Sequence, residues 1–275
     1  MKKNRKLNKS LLISLVYIGV LAALFSLDYS GFFKPIENSL LDQKFRIFQR
    51  EAPNDHIAMV MIDQKSLDLF IQKHNIYWPW PREVYSIVHN YLMAKQARVV
   101  VYDILFDQPD FDRNDMKGEI SDQSLEQLFG TYGNAVLSAQ AIESDSGYTS
   151  TKLSPFSYPI QTKDPYPLYT VHNIPIPRFL KTAQKIGSVA IPTQNETVIR
   201  SVPLFFNLKD HQALPSLSMA AYLAYKNEPI KQIREANHTL SFDSLRIPLQ
   251  PNGRYLVNWY KEAASQAGRF EHISF

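Results

Sequence analysis

The chain has 275 residues, 45% of them hydrophobic and 12% aromatic, which suffices to bury one large core or two modest ones and is too apolar for a disordered chain. Its formal net charge of +4 rests on Lys2, Lys3, Arg5, Lys6 and Lys9; the remainder is close to neutral, so no basic footprint for DNA or RNA is present. It has no cysteine, which excludes disulfides, a thiol nucleophile and a thiolate metal site.

The basic start is followed by a stretch from Ser10 to Leu27 that carries no charge. As a helix rising about 1.5 Å per residue, its apolar part spans roughly 25 Å, close to the hydrocarbon thickness of a bilayer. The rival reading is a cleaved signal peptide. The apolar run exceeds the usual length of such a segment, however, and no small-x-small site precedes a polar mature start. The expectation is a cytoplasmic basic tail over 1–9, a transmembrane signal anchor over 10–27 and an extracytoplasmic domain over 28–275. The positive-inside rule then keeps the N-terminus in the cytoplasm, which implies the cell inner (cytoplasmic) membrane with residues 28–275 periplasmic or extracellular.

Pro35 can open a juxtamembrane helix over 35–49, where Ile36, Leu40, Leu41, Phe45 and Phe48 recur at near-helical spacing. Asp42 and Arg46, four apart on it, read as a surface ion pair. A β-branched-rich run from Ile57 to Ile62 reads as a buried strand closed by Asp63. A short helix through Leu67, Leu69 and Phe70 leads to Ile76-Tyr77-Trp78-Pro79-Trp80-Pro81-Arg82, which holds two of the three tryptophans. Pro81 starts a further helix with an apolar stripe of Val84, Ile87, Val88, Tyr91 and Leu92. The run Val99 to Phe106, containing Asp103 and closed by Asp107, is the next strand, so strand, helix and strand alternate as in a parallel βαβ unit.

An acidic loop from Asp107 to Asp122 precedes a helix near Leu125 to Tyr132 and a strand near Ala135 to Ala139. Residues 143–175, rich in Ser, Thr, Tyr and Pro without periodicity, read as a long loop or insertion. Then come helix Arg178 to Lys185, strand Ser188 to Ile191, the pair Val198 to Arg200 and Val202 to Phe206, and helix Pro215 to Tyr225. Short strands Thr239 to Phe242, Leu245 to Leu249 and Tyr255 to Trp259 follow, joined by Asp243-Ser244 and Pro251-Asn252-Gly253; the Asn-Gly pair is a strong hairpin signal. The fold class expected is α/β (α+β): a mainly parallel βαβ core with helices on its faces, extended by a C-terminal antiparallel β-meander and preceded by one transmembrane helix.

Asp63, Asp103 and Asp107 fall at the carboxyl ends of two strands that a right-handed crossover brings near each other, and Arg82 opens the intervening helix toward that edge. Ligands of open α/β sheets bind there. Carboxylates beside an arginine suit a polar small molecule, and carboxylates alone a hard cation. The same residues serve equally as helix caps, with Arg82 paired to Asp63 or Asp103. Trp78 and Trp80, with backbones fixed by Pro79 and Pro81, either pack on the sheet or line a pocket. The ligand-binding candidates are therefore Asp63, Trp78, Trp80, Arg82, Asp103 and Asp107, and no catalytic residue, metal site or cofactor is expected. His56, His74, His89, His172, His211, His238 and His272 show no metal-ligand spacing on one element and read as surface or turn residues. Ser66, Ser216 and Ser218 lack any nucleophile elbow.

Several short motifs, taken in order, resemble the CHASE2 family. They are Leu41-Asp42-Gln43-Lys44-Phe45-Arg46, Met61-Ile62-Asp63-Gln64-Lys65-Ser66, Trp78-Pro79-Trp80-Pro81-Arg82 and Val101-Tyr102-Asp103-Ile104-Leu105-Phe106. Later come Gly187-Ser188-Val189-Ala190, Arg200-Ser201-Val202-Pro203-Leu204, Leu214-Pro215-Ser216-Leu217-Ser218 and Pro251-Asn252-Gly253. The resemblance implies an extracytoplasmic sensor domain of a bacterial signalling receptor, detecting an unknown small molecule or environmental signal. It implies as partners the membrane, a second copy in a homodimer, and a cytoplasmic effector in the same longer chain or in a partner. That effector would be a nucleotide cyclase, a histidine kinase, a serine/threonine kinase or a diguanylate cyclase. Two readings from other classes stand beside it: a scaffold in which helix 35–49 pairs with its copy, and an enzyme using Asp63, Asp103 and Asp107 with Asp112 or Asp115 around a divalent metal.

Overall fold

With neither charge nor proline between Ser10 and Leu27, nothing interrupts a helix there, and the computed structural model carries one unbroken helix, α1, over Lys3–Tyr29. It describes residues 3–48, 56–113, 116–146, 151–162, 166–192, 198–227, 230, 232–259 and 271–275. Within α1 the 21 residues Lys9–Tyr29 are long and apolar enough to cross a membrane, and none of them is buried. Gly31, at φ 76°, takes the left-handed backbone that ends the helix. A second helix, α2, covers Lys34–Phe48 with Pro35 in its first turn and no fully buried residue. Gln49, the expected end of this helix, lies outside the described residues.

The chain divides into two compact units, Met1–Met59 with Asn258–His272, and Val60–Val257 with Ile273–Phe275. In chain order the elements after α2 are β1 (Ala58–Met61), α3 (Gln64–His74), α4 (Arg82–Ala94), β2 (Val100–Val101), α5 (Gly118–Tyr132) and β3 (Ala135–Glu143). A 3-10 turn at Thr151–Phe156 leads to β4 (Tyr158–Thr162), β5 (Tyr169–His172), α6 (Pro177–Thr182), β6 (Lys185–Ser188), β7 (Ser201–Val202), β8 (Phe205–Asn207), β9 (Gln212–Pro215) and α7 (Leu217–Lys226). The last strands are β10 (Ile233–Ala236), β11 (Thr239–Phe242), β12 (Leu245–Pro248), β13 (Tyr255–Leu256) and β14 (Glu271–Ser274).

The parallel core is β2–β3–β6: Val100 pairs with Ala135, and Val136 to Ala139 pair with Lys185 to Ser188. Ala135, Val136, Leu137 and Ala139 on β3 are wholly buried, as expected for a parallel strand covered on both faces. The start of α7 lies directly on β6, since a Cβ at Gly187 would come within 2.6 Å of the Leu217 Cα. The meander β10–β11–β12 is antiparallel and joins a six-stranded sheet through a parallel pairing of β10 with β4. This is the mixed α/β architecture the pattern predicts.

Several details differ from expectation: β1 is partly exposed rather than buried, the strand expected over Ser188 to Ile191 lies at Lys185–Ser188, and Tyr255–Leu256, expected to follow the Asn252-Gly253 turn into the meander, pairs with β7 instead of β12. The strand expected over Val99 to Phe106 narrows to Val100–Val101, because Ser138 Oγ–H donates to the Ile104 carbonyl (2.6 Å) where a ladder would continue. The β1 strand pairs with β14 rather than with β2. The segment expected as a loop over 143–175 carries β4 and β5, whose Tyr158 and Ile160, then Tyr169 and Val171, alternate inward. The aromatic core that anchors the region of interest gathers Trp80, Tyr85, Tyr102, Phe106, Phe129 and Phe179.

Candidate functional site

Asp63 lies two residues beyond β1 and is the cap of α3. Its Oδ1 accepts from the Ser66 backbone N–H (2.8 Å) and from Ser66 Oγ (2.6 Å), while Ser66 returns a bond to the Asp63 backbone, completing a capping box. The Ser66 hydroxyl and amide hold this carboxyl below the ordinary aspartate range. Ser274 Oγ–H adds a third donor at 3.1 Å.

The tryptophan-proline segment splits its two rings. Trp80 is 0% exposed and packs 4.3 Å from Phe70, while Trp78 is 51% exposed and meets Trp80 edge-on at 5.6 Å. Tyr85 lies 6.5 Å from Trp80, its phenol pushed up to about 12 by burial.

Arg82, first residue of α4, is also buried, and it pairs with neither Asp63 nor Asp103. Its Nε lies 3.5 Å from Asp122 Oδ1, its Nη2 donates to the Gln108 carbonyl (3.2 Å), and its guanidinium lies 4.7 Å above the Phe106 ring. Its backbone N–H reaches Ser121 Oγ (2.8 Å) and Asp110 Oδ2 (3.2 Å). Asp110 is the hub of this network. It also accepts from Ser121 Oγ–H (2.6 Å) and from Arg113 Nη1 (3.0 Å), and its own N–H donates to Asp122 Oδ2 (3.1 Å). Burial favours the neutral form of both acids. At Asp110 the Ser121, Arg82 and Arg113 donors outweigh burial and lower its pKa, whereas at Asp122 burial prevails and the pKa is raised. Arg113 stacks 3.9 Å from the Phe111 ring and donates to the Pro79 carbonyl (3.0 Å), tying the acidic loop to the tryptophan-proline segment. That loop presses against α5, since a Cβ at Gly118 would fall 2.1 Å from the Asp110 carbonyl oxygen.

Asp103 is exposed and Asp107 half-buried. Among the described residues neither makes a hydrogen bond or ion pair, and no three His, Cys, Asp or Glu side chains are grouped as a metal site needs. Asp112 accepts from the Gly118 N–H (2.9 Å), and Asp115 lies outside the described residues. The six sequence candidates therefore occupy separate settings: a helix cap at Asp63, an aromatic cluster at Trp78 and Trp80, an ionic network at Arg82, and free carboxylates at Asp103 and Asp107. Sequence reasoning missed Asp110, Arg113, Ser121 and Asp122; their sole signal was the acidity of the 107–122 loop.

His89 corrects a further expectation. It is fully buried rather than at the surface, with Nδ1 2.9 Å from the Tyr102 hydroxyl and Nε2 3.1 Å from Asn134 Oδ1. Burial lowers its pKa. A histidine on an apolar helix face gives no local sign of this, because the partners come from the turn between α5 and β3 and from the segment after β2.

Among the described residues, then, the candidate region is an ionic network beside an aromatic cluster at the start of α4. The profile of the CHASE2 domain matches residues 16–275, and the chain belongs to this family of sensor domains of signalling receptors. No curated protein and no solved structure matches it.

Proposed function

We propose that this chain is an extracytoplasmic sensor held in the inner membrane by α1, which reports an external signal to a cytoplasmic effector in the same polypeptide or a partner. The observation that carries this is the CHASE2 match, which begins inside the apolar part of α1 and continues through the whole α/β region. Anchor and sensor thus form one module. The five basic residues ahead of α1 favour retention of the N-terminus in the cytoplasm. A second copy is the expected partner, because receptors of this kind pass a signal by changing how neighbouring spans are arranged. By linkage, a ligand shifts such an equilibrium only as far as it prefers one state.

The lack of cysteine in the sequence makes the test direct. Single cysteines are placed at Lys3→Cys and Gln123→Cys, the latter on the exposed side of α5. A membrane-impermeant maleimide added to intact spheroplasts is expected to label the second and to reach the first only after lysis. The reverse pattern, or equal labelling of both, overturns the reading.

A further inference from the structure

Strand β14 pairs with β1 and with no other strand among the described residues. Its last residues, Ile273 and Ser274, belong with Phe275 to the second unit. The Phe275 N–H donates to the Met61 carbonyl (3.0 Å), and Ser274 Oγ stands 3.1 Å from both Asp63 Oδ1 and Ser66 Oγ. The Phe275 ring then enters the aromatic cluster, 4.8 Å from Trp80, 5.9 Å from Tyr85 and 6.2 Å from Phe70. A two-stranded ladder of this length is marginal on its own, so the inserted ring holds it in place.

One feature of the same cluster opposes that attachment. Trp80 Nε1 is buried with no hydrogen-bond partner among the described residues. An indole N–H sealed from water disfavours the docked arrangement, and access of water or a ligand carbonyl would remove the penalty. Ring packing and the unpaired donor therefore act in opposite directions on a single side chain.

We infer that residues 273–275 form a strap that exchanges between docked and released states, with Trp80 setting the balance. Through this strap a change in the tryptophan-proline segment reaches strand β14 and its pairing with β1. This inference rests on the sensor reading above. A signal that engages the Trp80 N–H, or that shifts Trp78 against it, favours one state of the strap and so has a defined mechanical output.

Hydrogen exchange on the full chain in lipid nanodiscs tests it. Trp80→Phe keeps a ring and deletes the unpaired donor; the 273–275 amides are expected to exchange at least threefold more slowly. Phe275→Ala removes the inserted ring, and the same amides are expected to exchange at least tenfold faster. Protection of the β11–β12 hairpin reports that the fold is intact in each variant. The pair Ser66→Cys with Ser274→Cys is expected to crosslink under mild oxidation and to suppress exchange in the strap until reduced. Unchanged strap exchange in both ring variants with hairpin protection retained overturns the inference, and so does failure of the cysteine pair to crosslink. These readouts do not depend on which side of the membrane the domain occupies, so they stand apart from the maleimide test of export.

Discussion

Trp78 and Trp80 have the same side chain and nearly the same sequence environment, yet only one is a core residue. Proline on either side fixes both backbones, so exposure decides what each contributes. Trp80 contacts Phe70, Tyr85 and Phe275 with none of its surface left to water. Truncating it removes a large buried ring and leaves a cavity among rigid aromatic neighbours, which costs about 3–5 kcal/mol. Trp78 keeps half of its surface in solvent, so Trp78→Ala is expected to cost under about 1 kcal/mol. Urea unfolding of the two variants checks this, and midpoints lowered by equal amounts would contradict the assignment. Trp78 is then the ring that stays half in solvent. The sequence shows the segment to be special but cannot say which ring turns inward. That is decided by Phe70 on α3 and by Phe275, far away in the chain.

Between elements, the tie that matters most is the ionic network joining the start of α4 to the start of α5. The side chains of Arg82 and Asp122 are 10% and 3% exposed, so neither charge has water to fall back on. Removing one partner leaves the other buried and uncompensated, and Asp122→Ala is expected to destabilise by about 3–5 kcal/mol. The double variant Arg82→Met with Asp122→Leu replaces both charges by apolar groups of similar reach and is expected to recover most of that loss. A double-mutant cycle in denaturant measures the coupling, and simple additivity of the two single losses would show that the charges do not act together. At this scale legibility was uneven. The β3 strand and the β11–β12 hairpin were readable because a dense apolar run and a turn signal mark them locally. By contrast β4 and β5 were hidden, since Pro159 and Pro167 and the many hydroxyl residues between 143 and 175 mask the alternation of a few inward side chains. The pairing of β1 with β14 links residues some two hundred positions apart and leaves no local trace. Arg82 was singled out beside the strand-end acids, but its partners are Asp110 and Asp122, because the acidic loop folds back onto α5 where Gly118 lets the backbones touch.

For the molecule as a whole, the ordered set of motifs from Leu41 to Gly253 was enough to place the family, because each motif marks a local requirement and their order follows the chain. The site was less legible, since capping and ligand binding call for the same residue types at the same strand ends. The role assigned to α1 depends on a property that no single residue carries, namely an uncharged run from Ser10 to Leu27 within a 21-residue span of which no residue is buried. If that surface meets lipid, two charges at its centre should each cost about 2.5–3.5 kcal/mol on insertion scales, which is enough together to defeat insertion. The variant Ile18→Lys with Leu21→Lys is therefore expected to leave the membrane pellet after an alkaline carbonate wash, whereas the native chain stays. Ile18 and Leu21 are both exposed, so the α/β region should unfold at an unchanged urea midpoint. Retention of the charged variant in the pellet would mean that attachment does not run through α1. A lowered midpoint would mean instead that α1 packs on protein rather than on lipid, and the anchor would have to be sought in another part of the assembly.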